Sequence, residues 1–137
     1  MDLLARREHT RLELRRKLCH KGFDETLVDE VLARLAADGL LSDARFAESY
    51  VAARVARGEG PVRIRAALRE KGVSDELIAE VVDDDRADWQ VLIREAWRKR
   101  FAGEYPQDHK ERARQARFLQ QRGFTMEQIG ALLFRGE

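Results

Sequence analysis

The chain has 137 residues, 44% hydrophobic and 37% charged, with 26 Lys and Arg against 25 Asp and Glu for a formal net charge of +1. That length suits one domain or a few small modules sharing a core, and the balance of charge argues against sequence-independent nucleic-acid binding, which draws on many uncompensated Lys and Arg. A single cysteine, Cys19, excludes an intrachain disulfide and a cysteine-built zinc site, while the lack of a membrane-length apolar run or a signal-peptide core after Met1 points to a cytoplasmic protein.

In chain order, Asp2 to His9 leaves room for only a short leading helix. Thr10 with Glu13 then forms a capping box that starts a second helix, in which Leu14 and Leu18 share one face. Gly22 suits the left-handed backbone that closes a helix, and Asp24 can cap the next one, whose apolar positions are Leu27, Val28, Val31, Leu32 and Leu35. A further helix is expected from Arg45 to Arg57 with Asp43 as its cap. Gly60 and Pro61 mark the following start, because a proline at the first helical position loses no hydrogen bond.

The pattern then recurs. Ile64 and Leu68 repeat the i,i+4 face, Gly72 closes the helix, Ser74 caps the next, and Leu77, Ile78, Val81 and Val82 follow. A helix from Ala87 to Phe101 leads, through the loop Gly103 to Asp108, into a capping box of Asp108 with Glu111. In this third copy Gln115 stands where a leucine is expected, ahead of Leu119, Gly123, the cap Thr125 and the apolar Ile129, Leu132 and Leu133. Trp89, Trp97, Phe101, Phe46 and Tyr50 recur at helical intervals and read as packing residues between repeats.

The phrases LCHKGFDETLVDEVL, LREKGVSDELIAEVV and LQQRGFTMEQIGALL are thus three copies of one unit, with glycines at 22, 72 and 123, 50 and then 51 residues apart. The expected fold is all-α: three tandem three-helix repeats over residues 1–42, 43–85 and 86–137, stacked as one continuous, curved rod of roughly 60 Å with helices about 10 Å apart. Such a rod closes its core without a partner, so a monomer is expected.

Charge sorts by helix. The second helices are mainly basic and the third helices of the first two copies are acidic, so a nearly neutral chain carries a segregated surface. The candidate partner-binding residues are Arg15, Arg16, Arg54, Arg57, Arg63, Arg65, Arg69, Lys71, Arg114 and Arg117, with the middle copy as the anchor. A line of outward arginines can meet DNA phosphates or an acidic protein groove.

Catalytic chemistry has no constellation to rest on. His9, His20 and His109 lack metal-pair spacing and a paired acid, and Cys19 and His20 are neighbours that point apart on a helix. Gly58 and Gly60 lack the surroundings of a phosphate loop, and Asp83 to Asp85 lack the spaced ligands of a calcium loop. No enzyme, cofactor or metal is expected.

LLSDARFAESYV (Leu40 to Val51) followed by GEGPVRIRAALREKGVSDELI (Gly58 to Ile78) resembles the central signature of the RecX family of bacterial recombinase regulators. REHTRLELRRKL (Arg7 to Leu18) and RFLQQRGFTMEQI (Arg117 to Ile129) resemble the family's first and third repeats. The resemblance implies a cytoplasmic all-helical protein that binds the RecA filament on DNA and suppresses strand exchange and ATP hydrolysis, with direct DNA contact secondary. The alternative is a DNA-binding module that competes with RecA by covering DNA through helix-turn-helix-like units.

Overall fold

The structure, a computed structural model, describes residues 8–82 and 88–134. The leading stretch Asp2 to His9 therefore lies almost wholly outside the described residues, as do Asp83 to Asp85 and the start expected at Ala87. The described residues form eight helices and no strand: α1 (Arg11–His20), α2 (Glu25–Ala37), α3 (Asp43–Ala56), α4 (Pro61–Glu70), α5 (Asp75–Val81), α6 (Trp89–Phe101), α7 (His109–Gln121) and α8 (Met126–Leu133).

Most helix starts follow the local chemistry. Thr10 and Glu13 make a full capping box on α1, as do Thr125 and Gln128 on α8. Asp24, Ser74 and Asp88 each accept an amide of the first turn that follows, satisfying donors that lack an intrahelical partner.

Two starts differ from expectation. Ser42, not Asp43, caps α3, its hydroxyl accepting the Arg45 amide at 3.1 Å. Asp43 is already helical, and its carboxylate instead accepts the Arg11 amide at 2.8 Å, filling an orphan donor of α1. On α7 Asp108 caps the Glu111 amide, but the Glu111 side chain does not reach back. It is drawn to Arg114, one turn on, by two charge-assisted bonds of 2.8 and 2.9 Å.

Two compact units arise. The first comprises residues up to Tyr50 together with Leu68–Val81. There α2 packs on α1 around Leu14, Val28, Leu32 and Leu41, with Leu18, Cys19 and Leu35 partly buried against them. Leu27 and Val31, in the same apolar run, are 51% and 37% exposed, because α2 buries only the Val28/Leu32 side. The turn after α4 docks on the start of α1: the Thr10 hydroxyl donates to the Lys71 carbonyl at 2.7 Å, and a Cβ on Gly72 would lie 2.6 Å from Leu12 Cβ.

The second unit comprises Val51–Ala67 and residues from Val82 on. Here α6 packs on α7 and α8, with Ile93, Trp97, Leu119, Ile129 and Leu132 almost fully buried. The same kind of joint appears again, one repeat further along. The Gly60 and Val62 amides, on either side of Pro61, donate to the Arg122 and Gly123 carbonyls at 2.8 and 2.9 Å. A Cβ on Gly60 would come within 2.5 Å of the Gly123 backbone, so only glycine permits this approach.

Gly22, Gly72 and Gly123 all have positive φ, at 95°, 86° and 102°. Gly22 differs in having nothing within 4 Å of a would-be Cβ.

A candidate partner-binding surface

The basic residues of the first unit are mostly engaged within it. Arg15 donates to Asp29 at 2.9 Å, and this hydrogen bond is the main cause of its raised pKa. Lys71 reaches Glu13 at 3.4 Å and lies over the Tyr50 ring, while Arg69 and Asp75 form a well-exposed pair at 3.4 Å. Exposed pairs of this kind hold their partners weakly. Arg16 is exposed and has no carboxylate within salt-bridge distance among the described residues.

In the second unit, Arg54 and Arg63 converge on Glu59, a carboxylate whose side chain is only 7% exposed, at 3.1 and 3.4 Å. Arg63 also reaches the Gln121 carbonyl, and Arg65 donates to the Val82 carbonyl at 3.0 Å, just past the end of α5. Arg114 grips Glu111 with two bonds and lies 5.0 Å from the centre of the Phe101 ring. The Arg114 hydrogen bond in turn holds the Glu111 carboxyl below the usual range. Arg57 and Arg117 are exposed, and neither has a carboxylate within salt-bridge distance among the described residues.

The ten candidates thus fall into two kinds. Arg15, Arg54, Arg63, Arg65, Arg69, Lys71 and Arg114 serve the fold to differing degrees, whereas Arg16, Arg57 and Arg117 offer their full charge outward. Some of these pairs are local, as with Arg114 and Glu111 or Arg63 and Glu59, but Arg15 with Asp29, Lys71 with Glu13 and Arg65 with the Val82 carbonyl join distant segments, so the pattern along one helix reveals only part of the division.

The structure also groups residues that the sequence reading passed over. Lys99 and Arg100, at the exposed end of α6, join Arg57 and Arg122 around a recess of about 270 Å³ floored by Val55, Leu92, Ala96 and Phe118. The sequence signal was the run Arg98 to Arg100 at the close of an apolar helix. Arg122 is held by donating to the Arg57 and Gly58 carbonyls past the end of α3.

His9 is buried, with Lys17 Nζ donating to its Nε2 at 3.0 Å, and Cys19 is partly buried beside Leu14. Among the described residues no three His, Cys, Asp or Glu side chains gather as metal ligands, and no helix is long and apolar enough to cross a membrane.

The chain matches three RecX domains in order: the first three-helix domain over residues 1–35, the second over 42–82 and the third over 88–133. It is 49% identical over 133 residues to the regulatory protein RecX of Ectopseudomonas mendocina (strain ymp), a match covering 97% of this chain and 89% of that one. The chain belongs to the RecX family. Another RecX family relative, the regulatory protein RecX of Halorhodospira halophila (strain DSM 244 / SL1), is 51% identical over 96% of this chain and 81% of its own. These RecX relatives are named as regulatory proteins and not as enzymes. The fold also matches the crystal structure of RecX from Lactobacillus salivarius, with a TM-score of 0.78 at 22% identity over 97% of this chain and 88% of that one.

Proposed function

We propose that this RecX-family chain binds the RecA recombinase filament on DNA and inhibits its strand exchange and ATP hydrolysis, thereby modulating recombination and DNA repair. The observation that carries the reading is the match to all three RecX domains in order, joined to identity near one half with proteins named regulatory protein RecX. The proposed mode is steric and electrostatic: an all-helical protein bound to the filament hinders protomer movement and occludes incoming duplex, with no chemistry of its own. The partner is RecA, and any DNA contact is secondary.

Within the ten proposed contact residues, Arg16, Arg57 and Arg117 are the most direct candidates, because a partner's carboxylates could engage them without breaking an internal ion pair. Reversing all three to glutamate is expected to raise the concentration needed for half-inhibition of RecA by about tenfold or more, equivalent to about 1.4 kcal/mol. Circular dichroism should show the same helicity as the parent. Undiminished inhibition by this folded variant would remove these residues from the contact. Reversing Arg63 and Arg65 is a poorer probe, since it sets a new carboxylate against buried Glu59 and removes the bond to Val82.

A further inference from the structure

We propose that the recess beside the end of α3, in the second unit, docks an acidic segment of a partner protein through one apolar anchor side chain. Four cationic side chains, Arg57, Lys99, Arg100 and Arg122, line a space whose floor is Val55, Leu92, Ala96 and Phe118. Elsewhere in this unit Arg54, Arg63 and Arg114 are matched by carboxylates. Arg57, Lys99 and Arg100 have none within salt-bridge distance among the described residues, and the guanidinium of Arg122 is spent on backbone carbonyls. The surface therefore carries a net positive charge, four cations against the one carboxylate of Glu95, around an apolar hollow, which is complementary to carboxylates flanking an apolar residue.

The geometry favours a peptide over a nucleic-acid strand. Phe118 carries Arg100 at 5.6 Å from its centre and meets Phe101 edge-on at 5.4 Å, so the ring is committed to internal contacts instead of standing free to stack on a base. Glu95 stands on the same rim. A phosphodiester backbone offers it only further negative charge, whereas a peptide offers backbone N–H donors to Glu95 and carboxylates to the cations. Arg122, tied to the turn after α3, and Arg100, held over two aromatic rings, are placed in advance, which reduces the ordering lost on binding.

The test uses a labelled peptide with one phenylalanine between two pairs of glutamates, titrated into the full chain. Binding is read from the amide chemical shifts of the nitrogen-labelled protein, and no RecA is present, so the outcome is independent of the recombinase reading. Saturable shifts at Leu92, Ala96 and Phe118 are expected. Serine in place of the peptide's phenylalanine should abolish them, and the double variant Arg57→Glu with Lys99→Glu should weaken binding at least about tenfold with an unchanged thermal melt. Absence of these shifts, equal binding of the serine peptide, or equal binding by the double variant would overturn the proposal. If oligothymidine binds the wild type and loses that binding in the double variant while the peptide does not, the recess belongs to nucleic acid and the proposal also fails.

Discussion

Gln115 occupies the place that Leu14 and Ile64 hold in the other two basic helices, and it is 2% exposed. Its oxygen accepts the Trp97 indole N–H at 2.8 Å, and its amide donates to the Glu104 carbonyl at 3.0 Å. A polar residue is tolerated inside because both ends are satisfied. The substitution Gln115→Leu restores the leucine pattern but strands the Trp97 donor, and should destabilise by roughly 1–3 kcal/mol in urea unfolding. Adding Trp97→Phe removes that donor and should recover part of the loss. A Gln115→Leu protein as stable as the parent would show that the hydrogen bond contributes nothing net. From sequence Gln115 was visible as an exception to the leucine face, but its partner lies on another helix, and no local pattern announces such a pairing.

At the scale of elements, what was legible is what depends on three or four neighbouring residues. The caps Thr10, Asp24, Ser74 and Thr125 and the helix-opening Pro61 are of this kind. Asp43 was misplaced by one position because Ser42 and Asp43 are both good caps, and the choice between them rests on the long-range bond to the Arg11 amide. The repeated glycines were legible as backbone devices, but their second role was not. Gly123 is pressed against Arg63 and the Gly60 carbonyl, and Gly72 against Leu12, while Gly22 faces open space.

Alanine should therefore act unequally at these sites. At Gly22 it incurs only the left-handed backbone cost, about 1–2 kcal/mol. At Gly123 overpacking adds roughly 1–3 kcal/mol more. Urea midpoints measured for the two variants should fall in that order, and equal losses would mean that the joint between Gly60 and Gly123 can open without penalty.

For the whole molecule, the sequence carried the architecture further than the surface. Three copies of one phrase announced three helical repeats, and the RecX domains match in the same order. The exposed Leu27 and Val31 could not be read, and the division of the arginines into paired and unpaired only in part, because the pairs of Arg114 with Glu111 and Arg63 with Glu59 are local whereas Arg15 with Asp29 and Arg65 with the Val82 carbonyl depend on which helices meet. The net charge of +1 conceals this division: a surface with many of its cations already matched suits selective contact with a protein assembly better than general coating of DNA. The most direct test of the central claim is RecA's DNA-dependent ATPase, followed against increasing amounts of this protein with DNA in large excess. Binding to the filament predicts inhibition at protein levels far below those needed to cover the DNA, whereas inhibition that begins only when the DNA can be covered, and retreats as more DNA is added, would contradict it.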